Sequence, residues 1–364
     1  MNIYCKKESV RHFCAGRFLI ALLAVAVLSA CHQSNGQQGS QAQVNGEQVR
    51  ISGQAQGTYY SVIYYDSLQR NLQPEIDSLL QEFDLTASLW VDSSLLRRVN
   101  ANLTDTLNPL LATLLQESLK INQYTEGAFD CRIGRLVQAW GFSFREQEEL
   151  DEATLCNLLS AAHASVTVDT VDGTFLLRKE NPSTELDFNA IAQGYASDLL
   201  ACYLESQGIN DYLVDIGGEV ICRGAKSDGS PWRVGIERPA EDRYSEQQVQ
   251  TAIALRDQSV VTSGNYRKYY ERDGVRYSHT IDPSTGRPVS HTLLSASVVE
   301  RQCWLADAMA TAYMVMGLEK GKAFIAAHPE GPGTHAVYFI YDSCGTLATY
   351  ATPGFEEMTS RENP

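Results

Sequence analysis

The spacing of short strand-like runs constrains this chain more than any other feature of its sequence. The runs are rich in β-branched and aromatic residues, and few of the connections between them are long enough to hold a crossover helix. Parallel strands need such crossovers, whereas antiparallel strands do not. The pattern predicts an α+β fold with mixed, largely antiparallel sheets and packed helices. The predicted strands cover 58–65, 166–169, 174–178, 212–216, 232–236, 249–255, 260–262, 294–299 and 336–341.

Helices are predicted between some of these runs. Pro74 opens one at a first-turn position that proline tolerates, and an apolar face follows it. A second helix is predicted over 109–124, with Gly127 as its cap, and a third ends near Gln207, with Gly208 as its cap. The charged segment 143–163 is predicted to be a variable surface segment.

The N-terminus has the pattern of a targeting segment. Four basic residues precede an apolar run over 18–28 that is too short to predict a membrane span. The tetrad Leu28-Ser29-Ala30-Cys31 is similar to the lipobox of bacterial lipoproteins, in which the cysteine is lipidated. We therefore expect a signal peptide over 1–30, a flexible tether over 31–49 that begins at the lipidated Cys31, and one folded domain over 50–358. The expected location is a bacterial membrane surface facing the periplasm or the cell exterior.

Charge and cysteine content exclude some classes of function. The formal net charge is −15, and removal of the leader takes away more basic than acidic residues. Such a chain gains nothing from counterion release, so nucleic acid is not an expected partner. Beyond Cys31 the chain has cysteines at 131, 156, 202, 222, 303 and 344, with no CxxC pair and no zinc spacing. They are expected either to pair outside the cytoplasm or to remain free thiols in the core.

The most informative stretch for chemistry runs from 277 to 311. The segment YSHTIDPSTGRPV predicts a strand end followed by a turn, because Asp, Pro and Gly each favour turn geometry. His279, just before the turn, can exchange a proton near neutral pH. Downstream, Asp307 and Thr311 are four residues apart, so a helix places them on one face. Their oxygens are ligands suited to Mg²⁺. Considered alone, His279 and Asp307 are also compatible with structural roles.

A set of motifs, in order, resembles one family. The motifs are GTYY, SLWVDSSLLRRVN, EGAFD with a downstream WGF, LDFNAIAQGYA, DIGGE, SGNYRKYY, YSHTIDPSTGRPV and ADAMATA. Together they resemble the ApbE-type flavin transferases over about residues 57–317. The resemblance implies an ApbE-like, T-fold-related architecture with the flavin site in a central cleft. It also implies transfer of FMN from FAD to a Thr or Ser hydroxyl of an acceptor protein, with Mg²⁺ required and AMP released.

The resemblance also implies roles for individual positions. His279 matches the proposed base. The metal positions correspond to Asp307, Thr311, the backbone carbonyl of Ala190, and Ala310. Positions that contact FAD in relatives correspond to Gln56, Trp90, Ala128, Phe129, Asp130, Asp187, Gln193 and Ile281.

Some of these roles have alternatives, and two positions depart from the family pattern. Trp90 can stack on the isoalloxazine ring or belong to the core. Asp187 can bind the adenine or ribose side of FAD or cap the following helix. Many relatives have lysine where Gln193 stands, and Cys131 replaces a small residue or proline.

Two other functions remain open: an Mg²⁺-dependent FAD pyrophosphatase that gives FMN and AMP, and a non-catalytic flavin-binding lipoprotein. The family's acceptors are commonly subunits of membrane redox complexes, so such a subunit is the expected partner.

Overall fold

The computed structural model describes residues 46–143, 150–239, 248–265, 269–272 and 275–360. Its strands are β1 Glu47–Ala55, β2 Thr58–Asp66, β3 Thr106–Leu107, β4 Val166–Val171, β5 Thr174–Lys179, β6 Tyr212–Ile216, β7 Glu219–Arg223, β8 Trp232–Glu237, β9 Val249–Leu255, β10 Ser259–Gly264, β11 Tyr269–Arg272, β12 Val275–Ser278, β13 Ile281–Asp282, β14 Arg287–Pro288, β15 Leu293–Glu300, β16 Ala336–Ser343 and β17 Thr346–Ala351. Its helices are α1 Gln73–Ala87, α2 Leu95–Asn100, α3 Pro109–Tyr124, α4 Gly134–Ala139, α5 Glu152–Ala162, α6 Ala192–Ser206, α7 Cys303–Ala327 and α8 Pro353–Ser360.

One large sheet organises the fold. It has eight strands in the order β1-β2-β6-β7-β10-β15-β16-β17, and each neighbouring pair is antiparallel. A three-stranded sheet, β3-β5-β4, and the pairs β8-β9, β11-β12 and β13-β14 complete the described strands, and these are also antiparallel. The predicted α+β class with largely antiparallel sheets is therefore confirmed.

The two faces of the large sheet are covered by different elements. Successive side chains of a strand point to opposite faces, so Val298 of β15 joins one core and Val299 the other. The larger core lies between one face and helices α1, α3, α6 and α7. The smaller core lies between the other face, the β8-β9 ribbon and α8. A third cluster joins α4, α5 and Ile281 of β13.

Four hairpins of the described chain, β1-β2, β4-β5, β6-β7 and β16-β17, turn through two residues that both have positive φ. In the β1-β2 turn Ala55 pairs with Thr58, and between them Gln56 and Gly57 have φ values of 52° and 72°. The β4-β5 turn lies between two predicted strands and contains Asp172 and Gly173 with φ values of 49° and 78°. Both are two-residue turns of the type that matches strand twist, in which Asn-Gly or Asp-Gly is usual. A glutamine in the first position is unusual and points to another use for its side chain.

Several local predictions were wrong. Strand β1 begins at Glu47, inside the segment assigned to the tether, because pairing with β2 extends along its whole length. Residues 152–162, predicted as part of a variable surface segment, form helix α5 with four buried apolar residues. After α3, in contrast, both Glu126, with φ 52°, and the predicted cap Gly127, with φ 86°, are left-handed, and the Gly127 amide donates to the Asn122 carbonyl at 2.8 Å. The last helix extends to Ser360, past the predicted domain end at 358.

The remaining predictions on processing and cysteines have different outcomes. The six cysteines at 131, 156, 202, 222, 303 and 344 are all free thiols. Those at 131, 222 and 303 are buried, as expected of core thiols, whereas the one at 202 is partly exposed and those at 156 and 344 are exposed. Among the residues that the structure describes, no helix combines the length and the apolar character needed to cross a membrane. The predicted signal peptide, Cys31 and residues 31–45 of the tether lie outside the described residues.

Candidate active site

A large cleft brings nearly all the predicted site residues together, and its lining includes both Phe83 of the larger core and Val220 of the smaller core. Its volume is about 1260 Å³. The predicted residues on its lining are Gln56, Trp90, Ala128, Phe129, Asp130, Asp187, Ala190, Gln193, His279, Ile281, Asp307 and Thr311. Ala310 is not on the lining and is fully buried in the core. Its side chain therefore packs away from the cleft, and any metal role for this position stays a prediction.

The predicted oxygen donors of α7 face the cleft as helix geometry requires. Asp307 and Thr311 lie one turn apart on its wall. Asp307 is 5% exposed, and its Oδ2 atom accepts a hydrogen bond from the Gly194 amide at 3.0 Å. Among the described residues, no donor reaches its Oδ1 atom. Burial raises the pKa of Asp307 to about 7, and no basic side chain among the described residues forms an ion pair with its carboxylate.

The hydroxyl of Thr311 meets a second hydroxyl from the sheet. Its Oγ1 atom lies 3.4 Å from the Oγ atom of Ser263 on β10, and both residues line the cleft. Among the described residues, no group of three or more His, Cys, Asp and Glu side chains is arranged so that it could hold a metal ion. A cation here would therefore take one carboxylate, hydroxyl and backbone oxygens, and oxygens of water or ligand, a donor set that suits Mg²⁺.

Asp187 is positioned by a turn and presents one unpaired oxygen. Its Oδ1 atom accepts from the Asn189 amide at 2.8 Å, while its buried Oδ2 atom has no hydrogen-bond partner among the described residues. Helix α6 begins at Ala192 after Ile191, so Asp187 does not cap it. Burial raises the pKa of Asp187 to about 6. A buried, mostly ionised oxygen facing a cleft is suited to accept a hydrogen bond from a ligand.

Gln56 has an unpaired side chain held in a strained turn. Its residue has positive φ, and its Nε2 and Oε1 atoms are both buried without partners among the described residues. Its backbone amide contacts the carboxylate of Asp84, whose pKa is raised mainly by burial. A carboxamide offers one donor group and one acceptor, so this side chain can recognise an amide-like edge of a ligand.

The predicted aromatic and acidic contacts differ in character. Trp90 is 61% exposed at the cleft wall, so the core alternative for this residue is wrong. Phe129 is 2% exposed and belongs to the main core while it also contacts the cleft. The carboxylate of Asp130 is held by the guanidinium of Arg132 at 2.7 Å. Asp130 therefore fixes the loop between α3 and α4, whereas Trp90 is an exposed aromatic residue of the cleft wall.

Gln193 lies beside the turn that joins β6 and β7. A Cβ atom built on Gly217 would lie 3.1 Å from its Nε2 atom and 2.7 Å from Thr58 Cγ2. Gly217 also has φ 67°, so both space and conformation require glycine here. The turn therefore brings backbone close to the cleft.

The loop that carries His279 is packed against α4 and α5. The ring of His279 makes an edge contact with Phe142, with centroids 6.5 Å apart. The predicted turn is present, since the Gly286 amide donates to the Asp282 carbonyl at 2.8 Å. The Trp140 indole donates to the Gly286 carbonyl at 2.7 Å and so fixes the turn from outside. Helix α5, which was not predicted, thus supports the loop through the cluster around Ile281.

The sequence reasoning missed several charged residues of the cleft. Seven carboxylate residues and one arginine line it within the described part of the chain. Three of the carboxylate residues, Asp130, Asp187 and Asp307, were predicted. The others, Asp84, Asp215, Glu219 and Glu237, and the arginine, Arg233, were not. Desolvation, together with the nearby charges of Asp215, Glu237 and Glu219, raises the pKa of Tyr59 to about 12. A cleft of this charge repels a pyrophosphate unless a cation binds with it.

Comparison with known proteins identifies the class to which this fold and cleft belong. A family model described as the ApbE family matches residues 56–335. The chain therefore belongs to the ApbE family, as the motifs predicted.

Its relatives in this family cover almost the whole chain. An FAD:protein FMN transferase from Vibrio cholerae is 37% identical over 94% of this chain and 99% of the relative. One from Escherichia coli K12 is 33% identical over 94% and 97%.

Solved structures agree with the fold. The flavin transferase ApbE from Vibrio cholerae superposes with a TM-score of 0.72 at 35% identity, covering 86% of this chain and 99% of that one. The Pseudomonas stutzeri flavinyl transferase ApbE, in its apo form, gives 0.73 at 32% identity, covering 86% and 97%. The Thermotoga maritima ApbE protein gives 0.74 at 23% identity, covering 86% and 99%, and supports the fold alone.

Proposed function

We propose that this chain transfers FMN from FAD to a Thr or Ser hydroxyl of an acceptor protein. The hydroxyl oxygen bonds to the FMN phosphorus, the pyrophosphate bond breaks, and AMP leaves with the second phosphate. The observation that carries the proposal is one cleft that holds both the Asp307–Thr311 oxygen pair and the unpaired groups of Gln56 and Asp187. The names of the relatives, which are similar over nearly the full length, support the same reaction.

The cleft has the size and the contacts to bind FAD. Its volume of about 1260 Å³ is larger than that of an ordinary small-molecule pocket. The indole of Trp90, which is exposed on the cleft wall, can stack on the isoalloxazine, and the carboxamide of Gln56 can pair with a polar ring edge. Asp187 can accept from a ribose hydroxyl or an amine. Backbone and side chains at Ala128, Phe129, Gln193 and Ile281 complete the wall around these polar contacts.

The residues of the cleft also fit a bound Mg²⁺ ion. Asp307, Thr311 and the backbone carbonyl of Ala190 would hold it, with FAD phosphate oxygens and water as its other ligands. An unpaired Asp307 Oδ1 atom in a strongly acidic cleft supports this assignment. The ion would supply charge to offset the negative charge that develops on the phosphoryl oxygens and on AMP.

His279 is proposed to accept the proton of the attacking hydroxyl. It lines the same cleft as Asp307 and lies on a loop that is fixed by Trp140. An imidazole is suited to this work near neutral pH.

The lining of the cleft also includes residues that have no role in the proposed binding of FAD or metal. They are Tyr59, Leu213, Asp215, Val220 and Val234 of strands β2, β6, β7 and β8. Transfer is favoured over the pyrophosphatase alternative by the relatives, which are named FAD:protein FMN transferases.

The acceptor and the location follow from the same proposal. We infer that the acceptor is a membrane redox subunit and that lipid on Cys31 holds the enzyme at the periplasmic or exterior membrane surface. If so, Cys31→Ala should release the protein from the membrane fraction, or leave its leader attached. A variant that stays lipid-modified would contradict the assignment of Cys31.

The reaction is tested by the mass of the acceptor. The purified chain is incubated with FAD, MgCl₂ and a candidate acceptor fragment, and a fragment with valine at the acceptor threonine serves as control. Transfer adds FMN to the first fragment only and releases AMP. FMN and AMP without any gain in acceptor mass would indicate the pyrophosphatase, and intact FAD would indicate a binding protein.

A further inference from the structure

Helix α7 is two helices joined at a break. Gly317 has φ 73° and ψ −178°, which is not helical, so the first part ends at about residue 316. Only this first part contributes to the cleft wall, through Asp307, Thr311, Met314 and Val315. The second part runs on to Ala327 away from the cleft. The orientation of the first part is therefore not fixed by the whole length of a long helix.

A histidine from the neighbouring loop holds the end of this first part. The Nε2 atom of His291 lies 2.7 Å from the Met314 carbonyl oxygen, which the break at Gly317 removes from the regular helical pattern. The Nδ1 atom is buried without a partner among the described residues. The proton of a neutral ring therefore sits on Nε2 and is donated to Met314. The ring also packs on Gly317, where a Cβ atom would lie 2.8 Å from Cδ2.

An aspartate from α6 holds the beginning of the same part. Gln302, the residue before α7, makes no side-chain cap. Instead, the Asp198 Oδ2 atom accepts from the Trp304 amide at 2.8 Å, and the Cys303 amide also contacts this carboxylate. These are amides that a helix cannot pair by itself. Asp198 lies four residues after Gly194, so one face of α6 contacts both the start of α7 and Asp307.

We propose that Asp198 and His291 are positioning residues that clamp residues 303–316 at both ends and so hold Asp307 and Thr311 at the metal. The proposal rests on the proposed function, in which Asp307 and Thr311 bind Mg²⁺. Mg²⁺ demands near-ideal octahedral geometry, so a small rotation of this half-helix moves its oxygens out of range. Neither clamp residue is on the lining of the cleft.

The loop of His291 adds a second consequence. His279, the turn at Asp282 and His291 all lie on one connection between β12 and β15. The hydrogen bond from His291 to Met314 thus joins the segment that carries the proposed base to the helix that carries the proposed metal ligands. The clamp fixes these two groups relative to each other.

His291→Phe is the central variant, because it keeps a ring of similar size and removes the donor. His291→Gln restores a donor near the position of Nε2. His328→Phe is a matched control, since His328 Nδ1 lies 3.0 Å from the Phe324 carbonyl at the far end of α7 and is outside the cleft. Asp198→Ala and Asp198→Asn test the other end, the second retaining an acceptor oxygen.

The main readout is Mg²⁺ binding, measured by calorimetry on the full chain, with melting temperature and FAD affinity without metal beside it. We expect His291→Phe to raise the Mg²⁺ dissociation constant about tenfold, as for loss of one buried hydrogen bond. His291→Gln should recover most of the affinity, and FAD affinity without metal should change little. His328→Phe should lower the melting temperature and leave Mg²⁺ affinity unchanged. Asp198→Ala should weaken Mg²⁺ binding more than Asp198→Asn. If the alanine variant does not fold, the asparagine variant, which retains an acceptor oxygen, tests this end of the clamp.

The clamp is overturned if His291→Phe binds Mg²⁺ as tightly as the unmodified chain, or if His328→Phe weakens Mg²⁺ binding equally. It is also overturned if His291→Gln fails to recover affinity while keeping the melting temperature. Failure of the proposed function is a different result: the unmodified chain binds Mg²⁺ and no acceptor gains mass.

Discussion

The backbone amide of Gly194 donates to the Oδ2 atom of Asp307 at 3.0 Å, across the crossing of α6 and α7. The two helices approach so closely because position 194 has no side chain. A Cβ atom there would lie 2.6 Å from the Cys303 carbonyl oxygen and 2.8 Å from the Asp307 Cβ atom. The proposed metal ligand Asp307 is thus oriented by a main-chain amide. Substitution of neighbouring side chains does not remove this donor.

Gly194→Ala should therefore separate the two helices. We expect a loss of about 1–3 kcal/mol in the free energy of unfolding, as for overpacking a core. Mg²⁺ affinity should fall as well, because Asp307 loses its amide donor. Gly321→Ala, in the second part of α7, is the control: its added Cβ would meet the Phe339 ring at 3.2 Å, not main chain. Denaturant unfolding and Mg²⁺ titration measure both effects, and equal results for the two variants would contradict the close-crossing argument.

Mg²⁺ binding should depend on pH through Asp307. Its pKa is raised to about 7 by burial, so below pH 7 the proton competes with the metal. We expect Mg²⁺ affinity to fall about tenfold for each pH unit below 7. Asp307→Asn should abolish this dependence along with binding, whereas Asp215→Asn, another carboxylate of the cleft, should keep it. Calorimetry from about pH 5.5 to about pH 8 measures this pH dependence of the Mg²⁺ affinity. Affinity independent of pH would contradict the metal role of Asp307.

The same residue sets a pH dependence of stability in the metal-free protein. The folded pKa of Asp307 is above its ordinary value of 3.8, so folding favours its protonated form. This contribution to stability is complete below pH 4 and is lost as pH rises through about 7. Asp187, with a pKa of about 6, acts in the same direction. The melting temperature of Asp307→Asn should therefore exceed that of the unmodified metal-free chain at pH 8 and converge with it toward pH 4.

His279→Ala should lose transfer activity without losing the fold. General base catalysis contributes about 10²–10⁴-fold, so we expect a loss of this size that becomes smaller at high pH. FAD and Mg²⁺ binding should change little. His163→Ala is a matched control, because His163 Nε2 contacts the Pro283 carbonyl of the same loop at 2.9 Å and is outside the cleft. If His279→Ala instead lowers FAD affinity and melting temperature together, His279 is a structural residue.

Gln56→Gly should change stability and ligand binding in opposite directions. The substitution removes a non-glycine residue from positive φ and an unpaired buried carboxamide. We expect a gain of about 1 kcal/mol in the free energy of unfolding. FAD affinity should decrease. Asp172→Gly, at the equivalent place in the β4-β5 turn, should give a similar gain with no change in FAD binding. Fluorescence titration measures the FAD affinity, and denaturant unfolding measures the free energy of unfolding. Unchanged FAD affinity in Gln56→Gly would rule out a ligand contact.

Much of the fold was predictable because its signals are local. Helix α3 begins with a proline at a position where helices tolerate it, and it has a regular apolar face. Its predicted bounds, 109–124, match the structure. Strands β6 and β9 also match in full, since β-branched runs end at turns. Strand β1 was missed because it is an edge strand with mainly exposed residues, and its partner β2 supplies most of the order. Helix α5 was missed because its charged flank hid a four-residue apolar face.

The site shows the same division. Asp307 and Thr311 could be paired from sequence, because residues four apart share a helix face. His291 and Asp198 could not, because their contacts depend on how a loop and a second helix approach α7. The acidic lining from Asp84, Asp215 and Glu237 likewise comes from three distant elements. Only tertiary packing reveals those groups.

The free cysteines have a consequence for the redox chemistry of the described domain. The described domain holds together by packing, with no covalent cross-link among its six cysteines. Burial raises the pKa of the Cys131, Cys222 and Cys303 thiols, so they remain protonated and poorly nucleophilic. Cys156 and Cys344 are exposed and are the first to meet an oxidant or an alkylating reagent. The redox state of its surroundings therefore acts on the surface of this domain and leaves its interior unchanged.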